Sequence, residues 1–322
     1  MRTLLLTDLH FIDKPRGLLE AQTEAILKII EDEYPHDIII MGDLMMHRKP
    51  VPKVLLALKR IVDYAEERGI YLTIIRGNHD SDTKADDGIT ALSLFDYHAD
   101  VIVDYELDFR TKRAYIPHYE NENYIKECLE SVPTEYTVFG HFGYAGCLNS
   151  VGDADFGISR NLFRNTTYLG HIHGFNQRGK ITILGPPYPT NFGEAKKENF
   201  YAILQDGCVE FKSPTSGPRH LVVDHKDLDN NLDYINDPTW FTLLRVMIDS
   251  DCDSVNYDNL DVGFLDIKWK PSFEGDEESS YVPQRDLFTI NEVIIEDYVD
   301  SSKTSINKDD LMEGYSLIKN ED

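Results

Sequence analysis

Short apolar runs and helical stripes alternate along the first two hundred residues. "RTLLLT" is a brief buried-strand run, and "GLLEAQTEAILKIIEDEY" after it sets Leu19, Ile26, Leu27 and Ile30 near one helical face. "HDIIIMGD" is a second buried strand. "PKVLLALKRIVDYAEERG" spaces Leu55, Leu58, Ile61, Val62 and Ala65 for a helix that Gly69 ends. "IYLTIIRGNHD" runs from a third strand into a loop, and "ADVIVD" and "RAYIP" are shorter strands. "ENYIKECLESV" has helical spacing, and "YTVFGH", "TTYLGH", "KITILG", "NFYAILQ" and "CVEFK" complete the strand set. This alternation predicts a mostly parallel sheet with helices on both faces.

The texture changes at the turn-rich "SPTSGP". Beyond it, "RHLVVDH", "FTLLRVMID" and "GFLDIKWK" are strand-like runs between acidic stretches, predicting a small α+β domain over 214–271 after a first domain over 1–213. "PSFEGDEESSYVP" supplies a linker over 272–283. In 284–322, Leu287, Ile290, Ile294 and Tyr298 of "RDLFTINEVIIEDYV" mark one face of a helix, which suits either packing on its own domain or docking a partner.

The polar residues that follow the strands form a pattern. "LLLTDLH" ends in Asp8 and His10, "IIIMGD" in Asp43, "TIIRGNHD" in Asn78, His79 and Asp80, "TVFGH" in His141, and "TYLGHIH" in His171 and His173. In open α/β sheets, ligands bind beyond the carboxyl ends of the strands. Residues two apart in an extended chain share a face, so Asp8 with His10, and His171 with His173, aim together. One or two such loops arise by accident; five in order require independent loops to agree.

Two Asp, one Asn and four His, with His79 beside them and no cysteine, suit manganese, iron or zinc better than calcium. Seven ligands exceed one tetrahedral site and suffice for two cations sharing a carboxylate, the arrangement that hydrolyses phosphate esters. Cys128, Cys147, Cys208 and Cys252 show no CxxC pairing, as expected of a reducing cytoplasm. No apolar run is long enough to span a membrane, and the amino-terminal run is shorter than a secretory signal. The net charge of −25 opposes nucleic acid at long range, so a DNA substrate requires metal ions, a local basic patch or a basic partner. Arg48, Lys49, Arg76 and the Lys196-Lys197 pair are the nearby cations.

Asp8-Leu9-His10, Gly42-Asp43, Gly77-Asn78-His79-Asp80, Gly140-His141 and Gly170-His171-Ile172-His173 together resemble the signature of the calcineurin-like metallophosphoesterases. The resemblance implies a four-layer α/β/β/α sandwich, hence two sheets. It implies that Asp8, His10, Asp43 and His173 hold one metal and Asp43, Asn78, His141 and His171 the other, with Asp43 bridging and His79 as general acid. Ile183–Leu204, "ILGPPYPTNFGEAKKENFYAIL", is similar to the segment G-S-x-x-x-T-x-F-G-E…K-G-F that closes the phosphoesterase domain of SbcD-type nucleases. Gly185, Thr190, Phe192, Gly193, Glu194 and Phe200 match; Pro186 replaces the serine, and Glu198-Asn199 replace Lys-Gly. The compact layout is similar to the recombination endonuclease subunits of large tailed phages.

This resemblance implies a DNA exonuclease/endonuclease with two divalent ions, manganese first and iron or zinc as alternatives. It implies DNA and an SbcC-like SMC-type ATPase as partners, leaves room for a homodimer, and involves no membrane. The location implied is the cytoplasm, the host's if the chain is phage-encoded. The 214–271 domain becomes a capping and DNA-binding domain, and 284–322 a helical segment that docks the ATPase. His47, Arg48, Lys49 and Arg76 are candidate substrate contacts, although His47 stands one place later than the histidine of the family pattern G-D-L-F-H-x-x-K-P. A phosphoesterase for small nucleotides or phosphoproteins, and a catalytically weak scaffold, are the competing readings.

Overall fold

The computed structural model describes residues 1–147, 157–249, 255 and 257–270. The expected linker over 272–283 and helical segment over 284–322 lie outside the described residues.

Two six-stranded sheets carry the core. In the first, β1 (Arg2–Leu6), β2 (Asp37–Met41), β3 (Tyr71–Ile75) and β4 (Asp100–Ile102) run parallel, and β11 (Tyr201–Gln205) and β12 (Cys208–Lys212) extend it antiparallel beyond β1. The second contains β5 (Glu106–Asp108), β6 (Arg113–Ile116), β7 (Thr137–His141), β8 (Thr167–Gly170), β9 (Asn176–Arg178) and β10 (Ile181–Ile183), in the order β5-β6-β7-β8-β10-β9. The edge strands β5 and β9 have three residues each and no apolar run, which is why periodicity does not reveal them.

Alternation along each strand sorts residues between layers. Leu4, Leu6, Ile38, Ile40 and Ile74 pack against Ile26 and Ile30 of α1 (Leu18–Glu33) and Leu58, Ile61 and Val62 of α2 (Pro52–Glu67). From the opposite face, Leu5, Ile39, Met41 and Ile75 meet Tyr115, Phe139 and Tyr168 of the second sheet. Behind that sheet, Ala114, Ile116 and Val138 pack on Ile125, Cys128 and Leu129 of α3 (Glu122–Ser131). Helix, sheet, sheet, helix is the four-layer order implied by the resemblance. It replaces the single sheet that alternation alone predicts. With both faces covered, the central strands are buried at nearly every position.

A third sheet holds β13 (Gly217–Asp224), β14 (Trp240–Ile248) and β15 (Phe264–Trp269), all parallel. The short α4 (Leu232–Ile235) lies between β13 and β14 in the chain. This sheet leans on α1: a Cβ on Gly217 would fall 2.6 Å from that of Ala25, so only glycine permits the approach. Among the described residues, no helix is long and apolar enough to cross a membrane.

Glu33, at the end of α1, ties that helix to three strands. It accepts hydrogen bonds from Tyr201 Oη at 2.7 Å and Lys212 Nζ at 3.0 Å, and it pairs with Arg2. Burial opposes ionisation, but Tyr201, Lys212 and Arg2 hold this carboxyl below its usual range. Its folded pKa is lower than the unfolded one. The stabilisation is therefore present above the ordinary carboxylate pKa of about 4.3 and is lost as pH falls through the folded value. Glu33→Ala is expected to cost about 2 kcal/mol at neutral pH, with the difference from wild type narrowing in acid. Urea unfolding at pH 7 and pH 3.5 measures both; equal differences at the two pH values would refute the assignment.

Candidate metal centre

The loops after β1, β2, β3, β7 and β8 meet at one edge of the paired sheets. How they turn differs from the sequence expectation. β1 stops at Leu6 and β8 at Gly170, so neither histidine-bearing pair lies in extended chain. Asp8, His10, Asp43 and His171 instead adopt left-handed backbone, with φ of 53°, 46°, 52° and 79°. Such residues cost about 1–3 kcal/mol each and persist only where the surroundings over-determine them. The restraints are Asp8 N–H donating to Gly42 O at 3.0 Å, His10 N–H to Asp43 O at 3.0 Å, and His171 N–H to the Asp8 carboxylate at 3.1 Å. Gly77 is equally constrained, since a Cβ there would lie 2.2 Å from Asp43 Oδ1.

The ligand candidates fall into two groups around Asp43. In one, His10 Nε2 and His173 Nε2 are 3.0 Å apart, and Asp8 Oδ1 lies 4.0 and 3.9 Å from them. In the other, Asn78 Oδ1 is 3.2 Å from His141 Nε2 and 2.9 Å from His171 Nδ1. Asp43 faces both, with Oδ2 at 3.7 Å from His10 Nε2 and Oδ1 at 3.3 Å from His141 Nε2. His171 and His173 thus stand in different groups. The donors fit divalent cations. Two imidazole nitrogens converge beside a carboxylate in the first group, and an amide oxygen with two imidazole nitrogens in the second. Burial pushes His10 down to about 4. Burial opposes charging of His141 as well, yet Asp43 draws it up to about 9, while Asp43, against the effect of its own burial, is held well below its usual range by His141 and His10.

His79 stands beside these groups, its ring edge-on to His10 at 4.9 Å between centroids. Its N–H donates to Asp43 Oδ1 at 2.8 Å, and Nδ1 donates to Met46 O at 2.6 Å, leaving Nε2 for a substrate. His79, His10 and Asp43 also form a cluster compact enough to share an ion, so the ring stands between a ligand's position and an acid's.

Three supporting residues belong to none of the ligand or acid positions that the sequence points to. Asp80 Oδ1 accepts from Leu44 and Met45 N–H at 3.0 and 3.1 Å, and Oδ2 from Gly77 N–H at 2.9 Å. It pins the Asp43 loop to the Asn78 loop, and burial beside Asp43 raises it to about 7. Glu194 accepts from His173 Nδ1 at 2.6 Å. His118, buried after β6, sets its ring 5.5 Å from His171 and 6.3 Å from His141. "RAYIPH" has the same strand-then-polar pattern as the ligand loops and could have found it.

The candidate substrate contacts separate. His47 and Lys49 are exposed. Arg48 donates to Ser81 O at 3.2 Å and Thr83 O at 2.8 Å, and lies 3.7 Å from Glu120. Arg76 is 1% exposed and donates to His118 O at 2.8 Å and to Ser81 Oγ. Because β3 ends between the sheets, Arg76 braces the loops from inside and is not offered to a substrate. A separate cluster of Asp224, His225 and Asp249 is paired internally by Lys270, 2.6 Å from Asp249, and by Lys226.

Solved structures with related layouts include Yfce, a phosphoesterase from E. coli, at 17% identity and TM-score 0.37 over 66% of this chain and 93% of that one. Another is the Pseudomonas putida nuclease MPE, at 16% identity and TM-score 0.33 over 65% and 87%. No curated protein matches the chain. The sequence model of the calcineurin-like phosphoesterases, however, matches residues 1–247, which contain every residue of both ligand groups. The chain belongs to the calcineurin-like phosphoesterase family.

Proposed function

We propose that this protein is a two-metal DNA nuclease, cutting phosphodiester bonds as exonuclease and endonuclease, and that it works in the cytoplasm with an SbcC-like SMC-type ATPase in double-strand-break processing and recombination. Asp8, His10, Asp43 and His173 would hold one ion and Asp43, Asn78, His141 and His171 the other, manganese being the preferred metal. The observation carrying this reading is the shared carboxylate: Asp43 presents one oxygen to each ligand group. The choice of DNA rests on Ile183–Leu204 and on the third sheet that follows it.

Divalent cations at such a site acidify water and neutralise charge on a phosphate in flight. The chain's own groups do the rest. Asp43 and Asp80 fix the loops, and His79 Nε2 delivers a proton to the departing sugar oxygen. With Arg48 and Arg76 engaged by the protein and the surface strongly acidic, affinity for DNA falls to the exposed Lys49, Lys196 and Lys197, to cations held in the site and to the ATPase.

The test is degradation of linear single- and double-stranded DNA with manganese, against chelator, with and without an SMC-type ATPase, beside a nitrophenyl phosphate diester. Metal-dependent DNA cleavage, weak and salt-sensitive alone and raised by the ATPase, is the expected result. Diester cleavage with no DNA cleavage in either setting would refute the nuclease reading in favour of a phosphoesterase for small substrates.

A further inference from the structure

We propose that the turn Phe192–Glu194 locks the metal centre to the third sheet, with Glu194 as the positioning residue of His173. This rests on the reading of His173 as a metal ligand.

Glu194 is 1% exposed, yet it is a carboxylate. Its Oε1 accepts from His173 Nδ1 at 2.6 Å, and Oε2 accepts from Thr190 N–H at 2.8 Å and Thr190 Oγ1 at 2.9 Å. The Thr190 bonds leave Glu194 little freedom to rotate. An imidazole that donates Nδ1–H to a fixed carboxylate has its tautomer and ring plane set, and its Nε2 lone pair is turned outward. That Nε2 is the atom lying 3.0 Å from His10 Nε2 and 3.9 Å from Asp8 Oδ1.

The same three-residue turn faces the other way through Phe192. The His220 ring of β13 meets it edge-on at 4.8 Å, and the Arg245 guanidinium of β14 lies 4.1 Å over its face. Arg245 Nε is in turn 2.6 Å from Asp266 of β15. A continuous line of contacts therefore runs from β15 through β14 and the turn to His173. Continuity is not yet coupling; coupling requires that a change at one end alter the other.

The experiment measures manganese affinity by calorimetry for wild type, Glu194→Ala, Glu194→Gln, Phe192→Ala and Arg245→Ala, each checked for folding by urea unfolding. The His173 tautomer in metal-free protein is read from its ¹⁵N shifts. Expected are an Nδ1–H tautomer in wild type that Glu194→Ala shifts toward Nε2–H, incompletely because Thr190 Oγ1 also lies 3.3 Å from His173 Nδ1, and a loss of about 10–100-fold in affinity at one of two ions with the other unchanged. Glu194→Gln, which keeps an acceptor, should recover part of that loss. Phe192→Ala and Arg245→Ala should weaken the same ion by smaller factors. Unchanged tautomer and affinities in folded Glu194→Ala would overturn the positioning role. Wild-type affinity in both Phe192→Ala and Arg245→Ala would overturn the link to the sheet. A wild-type protein that binds no divalent cation would overturn the metal reading itself, a result distinct from either of these.

Discussion

Asp43→Asn is expected to abolish manganese binding and phosphodiester cleavage together. The carboxylate is almost fully buried and stands between two groups of ligands, one oxygen toward each. Asparagine keeps the shape and one oxygen but replaces the other with an N–H donor aimed at a cation. It also removes the charge that draws protons to His141. Removing one partner of a buried charge cluster also costs about 3–5 kcal/mol of folding stability, so the variant's fold is checked by urea unfolding beside its metal binding. Because Asp43 serves both groups, neither ion should bind normally. Calorimetry with manganese checks this, and two sites of wild-type affinity in the variant would sink the bridging role. The Asp80 carboxyl, raised first by burial and then by Asp43, should fall part of the way toward its ordinary value in the same variant, burial remaining.

His79→Asn is expected to leave both ions bound while lowering kcat on DNA by about 10²–10⁴-fold, the usual contribution of a positioned general acid. The backbone bond from His79 N–H to Asp43 Oδ1 survives the substitution, so the bridging carboxylate keeps its support. What is lost is a ring aligned by Nδ1 donating to Met46 O. The substrate pair sharpens the test. A nitrophenolate leaves without protonation, whereas a sugar alkoxide does not, so the variant should lose far less on the nitrophenyl diester than on DNA. Equal losses on both substrates would argue against proton donation. Loss of an ion in calorimetry would instead make His79 a ligand, the alternative left open by its closeness to His10 and Asp43.

These expectations begin in the sequence, and the extent of that is uneven. The stripe Leu55, Leu58, Ile61, Val62 and the run "DIIIM" depend only on local chain geometry and burial, so helix α2 and strand β2 are legible in the sequence. The polar residues after those strands were equally plain, because chemistry at a strand's carboxyl end needs nothing but order along the chain. Division into two sheets is different. No local signal states that the chain leaves the first sheet after β4 and starts another at β5, and alternation by itself fits one sheet as well as two. Only the resemblance pointed to the correct architecture.

The site follows the same division. Order along the chain is enough to identify the residues that gather at the strand ends: Asp8, His10, Asp43, Asn78, His79, His141, His171 and His173. How they aim is a matter of tertiary structure. Left-handed backbone at Asp8, His10, Asp43 and His171, stabilised by bonds between loops far apart in the chain, replaces the strand geometry that two-residue spacing suggests. It decided that Arg76 faces inward, since an arginine's availability depends on which carbonyls surround it. It also decided that Glu194 reaches His173 and that His118 lies beside His171. Periodicity and strand-end position are properties of a segment, whereas hydrogen-bond partners belong to pairs of segments that only folding brings together.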